Sequence, residues 1–132
     1  MVNVIKDYKD LKVWRKALEV ATAVIELVDL LPPGKAAEII GEQIISSSTS
    51  VCANIAEGHS SGSSKEYNRI LRIAYREAKE TDNWLQVIKG VKKFPKNTIQ
   101  ERVRKIEDNN LIAVKMLSSL KKKIADLTQS DE

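Results

Sequence analysis

Apolar residues recur along this chain at intervals of three and four, and Gly and Pro cluster at only three places: Leu31-Pro32-Pro33-Gly34, Gly58 to Gly62, and Gly90 to Pro95. Proline lacks the amide hydrogen a helix needs, and glycine gives the backbone too much freedom to hold one. Four stretches remain between these breaks, about 10–31, 35–58, 63–90 and 98–128. Each far exceeds the about five or six residues of an ordinary strand, so the pattern predicts four helices and no sheet. The Pro-Pro-Gly turn and the Phe94-Pro95-Lys96 turn are short enough to demand antiparallel neighbours. The predicted fold class is therefore all-α: one antiparallel up-down-up-down four-helix bundle spanning residues 1–132. The connection from Gly58 to Ser64 is rich in Ser and Gly and is the flexible one.

The first helix starts behind Asp10, a good N-cap residue. At about 100° per residue, Trp14, Ala17, Leu18, Ala21, Val24, Ile25 and Val28 share one face. A second apolar row runs beside it: Val13, Val20, Leu27 and Leu31. The two rows together cover more arc than a single bundle core needs. The extra row is either a wide core face or a subunit interface, and Val13, Val20 and Leu27 are its interface candidates. The second helix places Ile40, Ile44, Val51 and Ile55 on one stripe. Helical spacing continues through Ser46-Ser47-Ser48-Thr49-Ser50, which predicts helix with small side chains against a close neighbour. Asn54 lies beside this stripe in a structural role, satisfying backbone or fixing register.

On the third helix Tyr67, Ile70, Leu71, Ala74, Ala78, Thr81, Leu85 and Ile88 form the apolar face. Arg69, Arg72, Arg76 and Lys79 are spaced 3, 4 and 3 and form a basic stripe nearly opposite. Ile73, Trp84 and Val87 sit on the flank, where a Trp can anchor another subunit or cap its own core. On the fourth helix Ile99, Val103, Ile106, Asn110, Ala113, Leu117, Leu120, Ile124 and Leu127 follow spacings of 4 and 3 without a break. Such a seam packs on other helices at small crossing angles, and a lone Asn within it fixes register. The simplest use of this seam is to close the chain's own bundle.

Charge sharpens the picture only in the third helix. The whole chain carries 22 Lys and Arg against 18 Asp and Glu, a net of +4, and residues 63–95 alone hold eight against four. A basic row of this kind is either a solvated face or a phosphate-tracking surface. Catalytic and metal chemistry is absent from the pattern. One Cys and one His rule out a disulfide framework and the common multi-His or multi-Cys metal centres within one chain. No phosphate-binding Gly loop, no His-Glu-x-x-His and no Glu-x-x-His pair occurs. His59 reads as an exposed turn residue, Cys52 as a buried inert thiol, and Glu77, Glu80 and Asp82 as surface ion-pairing partners of Arg76 and Lys79. Expected, then, are no catalytic residues, no metal and no cofactor. No apolar run reaches the roughly 18–20 residues of a membrane span, and the opening MVNVIKDYKD is polar, so the chain is expected to be cytoplasmic with no membrane partner.

Three blocks carry a resemblance. Asp10-Leu11-Lys12-Val13-Trp14-Arg15-Lys16-Ala17 resembles the opening motif Asp-Leu-x-Val-Trp-x-Lys-Ala of a known family. Ser48 to Gly58 contains the Asn-Ile-Ala-Glu-Gly block that recurs at the end of its second helix, and Arg76 to Leu85 resembles its Glu-Ala-x-Glu-Thr-x-x-Trp-Leu motif. The family is that of bacterial four-helix-bundle proteins first noted as products of intervening sequences within 23S rRNA genes, at times labelled S23 ribosomal proteins. The resemblance implies a ring-like homo-oligomer, a pentamer, with no known catalytic activity. It also implies kinship with the accessory variability determinant protein of diversity-generating retroelements, which binds nucleic acid and a reverse transcriptase. Departures occur at His59, Ser60 and Ser61, where relatives often carry Arg, and at Cys52, where Gly or Ser is frequent.

Residues and resemblance together predict a non-enzymatic homo-oligomer that meets structured RNA or DNA. Arg69, Arg72, Arg76 and Lys79 would contact phosphate, with Lys92, Lys93 and Lys96 extending the patch past the third helix. The competing expectation is a protein-binding scaffold whose hot spot is Trp84 and Val87, with Ile73 alongside.

Overall fold

The computed structural model describes residues 7–130, so the first six residues of the polar opening lie outside it. A short 3-10 turn, Tyr8–Asp10, leads into four helices: α1 (Lys12–Leu30), α2 (Lys35–His59), α3 (Ser64–Gly90) and α4 (Lys96–Ser130). No strand occurs among the described residues. Each of α1 and α3 packs on both α2 and α4, so the helices stand in cyclic order around one core. Short turns enforce this arrangement because a chain leaving one helix can only return beside it.

The start of α1 differs from the sequence expectation. Leu11, not Asp10, is the N-cap, and it makes no side-chain cap bond. Asp10 is used by the preceding turn, and its Oδ1 accepts from Arg15 Nη2 at 3.3 Å. The capping role expected of Asp10 falls instead to Asp7 at the 3-10 turn and to Ser63 at α3, whose Oγ accepts from Glu66 N at 3.0 Å.

The buried face of α1 is also not the one a fixed helical wheel selects. Val13, Ala17, Val20, Val24, Leu27 and Leu31 are all buried, whereas Leu18 and Ile25 are 39% and 41% exposed. These buried positions are spaced 4, 3, 4, 3 and 4. A seam of period 3.5 stays against its neighbours, while a wheel drawn at 3.6 drifts about 20° each heptad. Val13, Val20 and Leu27 are thus core residues of their own chain, which corrects their assignment to a subunit interface.

The serine run is continuous helix, as its spacing predicts. Ser47 and Ser48 are buried at 0% and 1% exposure and donate back to the carbonyls of Ile44 and Ile45. Asn54 bonds in the same way to Ser50 O, at 2.8 Å. Small side chains let α2 and α3 approach, and Ser47 Oγ meets Thr81 Oγ1 at 2.9 Å across the gap. On α4 the seam faces inward, and Asn110, 3% exposed, donates from Nδ2 to Ala78 O at 3.0 Å. These two polar contacts lie between two apolar clusters. One gathers Leu27, Ile44, Leu85, Ile88, Phe94 and Val103; the other gathers Val13, Ile55, Leu71, Ala74, Leu117 and Ile124. The clusters supply the burial energy and the polar layer supplies register, since sliding a helix by one turn would leave buried donors unpaired.

Candidate nucleic-acid interface

The apolar face of α3 fixes where its charges point. All eight predicted core residues of α3 are buried, so Arg69, Arg72, Arg76 and Lys79 stand in solvent on the far side. Arg69 is held by Glu66 through a bidentate pair at 2.7 and 2.8 Å, which also keeps the Glu66 carboxyl below its usual range. Arg72, Arg76 and Lys79 form no salt bridge among the described residues. Three adjacent exposed cations thus remain available to an outside anion.

The carboxylates beside them are engaged otherwise. Glu80 Oε2 accepts from Trp84 Nε1 and Asp82 Oδ1 from Gln86 Nε2, each at 3.3 Å. Glu77 turns toward α2; partial burial, then the neighbouring Glu80 charge, push its carboxyl upward against a hydrogen bond from Ser50 and the charge of Arg76. The expected surface ion pairs of Glu77, Glu80 and Asp82 with Arg76 and Lys79 are therefore replaced by hydrogen bonds. Further along, Lys89 Nζ lies 3.3 Å from Glu107 on α4, and Gln86 Nε2 donates to the same carboxylate.

Lys92, Lys93 and Lys96 are exposed in and just after the turn between α3 and α4. They do not continue the α3 row. Thirteen residues separate Lys79 from Lys92, about 20 Å of helix at 1.5 Å per residue. Asp82, Glu107 and Asp108 occupy the interval, so the turn lysines form a second, separate patch.

Basic residues of α4 were missing from the sequence reading. A cleft of about 290 Å³ brings Lys79 and Asp82 together with Glu107, Asp108, Leu111 and Val114. Lys115 and Lys122 stand four and eleven residues after Leu111, in the same row of α4, and both are exposed. Lys121 lies over the Tyr75 ring, its Nζ 4.3 Å from the centroid. Nothing in sequence periodicity brings residue 111 to residue 79; only antiparallel packing at a particular register does.

The interface candidates on the flank keep part of their surface in solvent. Ile73, Trp84 and Val87 are half-buried, and Trp84 and Val87 pack against the cluster around Leu85 and Phe94. The large apolar side chains left to solvent are instead Leu18, Ile25, Leu30, Ile39, Leu111 and Ile112.

His59 and Cys52 also differ from expectation. His59 ends α2, half-buried with its ring edge-on to Tyr67 at 6.0 Å, rather than exposed in the turn. Cys52 is half-buried, and desolvation pushes its thiol upward while Sγ donates to Thr49 O at 3.3 Å. His59 Nδ1, Tyr67 Oη and Asn68 Oδ1 are buried without a hydrogen-bond partner among the described residues. No group of three or more His, Cys, Asp or Glu suited to a metal occurs among the described residues.

Burial pushes the Tyr67 phenol from 10.0 to about 12. The unfolded chain therefore loses this proton first as pH rises, and the folded chain keeps it. The resulting stability is complete below about pH 10 and drains away toward pH 12. Tyr67→Phe removes a hydroxyl that has no hydrogen-bond partner among the described residues. Urea midpoints of the variant should match the wild type near neutral pH and exceed it in that alkaline window.

The sequence of residues 9–119 matches the family model described as 23S rRNA-intervening sequence protein. The chain belongs to that family. Within the 23S rRNA-intervening sequence family, a similar crystal structure is that of a protein of unknown function from the S23 ribosomal protein family, from Bacteroides thetaiotaomicron. It is 29% identical, aligns over 83% of this chain and 98% of its own, and superposes with a TM-score of 0.73. No curated protein matches the chain. For this member of the 23S rRNA-intervening sequence family, no described helix is long and apolar enough to cross a membrane.

Proposed function

We propose that this protein is a non-enzymatic homo-oligomer, acting in the cytoplasm, that binds structured RNA or DNA through phosphate contacts made by α3. The observation that carries the reading is the exposed row of Arg72, Arg76 and Lys79, which lacks salt-bridge partners among the described residues. Cations on one helix face at three- and four-residue steps lie about 5–6 Å apart and can follow a phosphate backbone, each neutralised phosphate releasing condensed counterions. Self-association would strengthen this contact, because repeated copies of a row add their potentials. The apolar surface that copies would share is centred on Leu18 and Ile25, which lie seven residues apart on one row of α1 and are exposed.

Two measurements test this. The native mass should be a multiple of 14.8 kDa, and Leu18→Glu with Ile25→Glu should reduce it toward that value. Binding of a structured RNA, followed by mobility shift, should weaken steeply between about 50 and 200 mM salt. A monomeric wild-type particle would remove the oligomer, and binding indifferent to salt, or absent, would remove the phosphate contacts.

A further inference from the structure

We propose that α3 and α4 together form a two-walled surface for double-stranded nucleic acid, with Arg72, Arg76 and Lys79 on one wall and Lys115 and Lys122 on the other. The inference rests on the reading above that α3 meets nucleic acid. It adds the second helix and the form of the ligand.

The second wall follows from register. Asn110 bonds to Ala78, Lys121 covers Tyr75, and Leu111 shares a cleft with Lys79. These contacts run the C-terminal half of α4 antiparallel to the N-terminal half of α3. That register sets Lys115 level with Lys79 and Lys122 level with Arg72 along the bundle, both lysines exposed on the outer side of α4. Each wall covers seven residues, about 10 Å of helix at 1.5 Å per residue.

The separation of the walls selects the ligand. Packed helices have axes about 8–10 Å apart, and these side chains leave the bundle on its outer side, so their charges spread wider than the axes. Such rows cannot share one phosphate. They match the phosphates bordering a duplex groove, about 12 Å wide in the B-form major groove and wide and shallow in the A-form minor groove. A single strand is ordinarily held by stacking bases on aromatic rings. The face offers no such platform: Tyr75 lies under Lys121, and Trp84 is half-buried with its indole N–H on Glu80. Asp82, Glu107 and Asp108 close the surface beyond Lys79 and would repel phosphate there.

The test uses the full chain, a labelled RNA duplex of about 20 base pairs, and the matching single strand, with binding read at about 50 and 200 mM salt. The wild type should bind the duplex at least about tenfold more tightly than the single strand, because only the duplex engages both walls. Lys115→Glu with Lys122→Glu should weaken duplex binding and flatten the log–log salt slope by about 1.8, the value for two lost contacts. Lys115→Gln with Lys122→Gln should flatten it equally without adding repulsion. Lys12→Glu with Lys35→Glu, the same charge change on α1 and α2, should leave the slope unchanged. Wild-type slope in both α4 pairs, alongside loss in an Arg72→Glu and Arg76→Glu pair, overturns the second wall and leaves the α3 reading standing. Equal affinity for single strand and duplex overturns the choice of ligand. A wild type that binds neither overturns both readings.

Discussion

If α3 carries the proposed phosphate contacts, a chain with Arg72→Glu and Arg76→Glu should bind structured RNA roughly a hundredfold more weakly than the wild type near 0.1 M salt, and its salt dependence should flatten by about 1.4–1.8. The expectation follows from where the two side chains stand. Both are exposed, neither has a salt bridge among the described residues, and the eight core residues of α3 lie on the other side of the helix. Each lost phosphate contact forfeits roughly one counterion's release, close to a tenfold loss at this salt, and the introduced carboxylates add repulsion. The fold should be untouched, because exposed substitutions away from caps and cores change stability by about 0.5 kcal/mol or less. An unchanged melting temperature with lost binding separates recognition from folding. Unchanged binding would move the site off α3 altogether.

Asn110→Asp should be strongly destabilising, costing about 3–5 kcal/mol at neutral pH in chemical denaturation. The wild-type amide donates to Ala78 O from a site only 3% exposed. A carboxylate there has no hydrogen to donate, faces a carbonyl oxygen, and is cut off from water. Its protonated form restores the donor, so burial raises the folded-state pKa of the variant above that of the unfolded chain. The sign follows: stability is retained below the ordinary carboxyl value of about 4 and lost as pH rises through the raised folded-state value. Asn110→Leu provides the contrast. It removes the donor without introducing a charge, so its cost should be pH-independent and at most about 1–3 kcal/mol, that of the bond lost at Ala78 O, while loosening the register that the amide holds. A pH-independent Asn110→Asp variant would mean that Asn110 is not enclosed between α3 and α4.

Much of this molecule is legible in its residue pattern. The eight core positions of α3, the α4 seam with its lone Asn, and the helical serine run all follow from spacing, because a helix repeats every 3.6 residues whatever it packs against. The breakers mark the turns for an equally local reason: Pro and Gly act on their own backbone. The basic row of α3 belongs to the same class, since residues on one face of one helix need no partner to be aligned.

What failed was whatever depends on a second helix. A helical wheel puts Leu18 and Ile25 on the inner face and leaves the row of Val13, Val20 and Leu27 open between core and interface, because a wheel cannot tell which part of a wide apolar arc the neighbours will cover. Lys92, Lys93 and Lys96 are close to α3 in sequence and were joined to its row, yet in space the carboxylates of Asp82, Glu107 and Asp108 divide them from it. Lys115 and Lys122 are far from α3 in sequence, yet antiparallel packing brings their stretch of α4 level with Lys79 and Arg72. The helices, their inward faces on α2, α3 and α4, and the charge of α3 are written in the residue order alone, all consequences of one chain's own periodicity. Only the tertiary structure decided which α1 row is buried, which carboxylates are already engaged, and which lysines face α3, because those depend on the register between helices, and register is set by contacts such as Ser47 with Thr81 and Asn110 with Ala78.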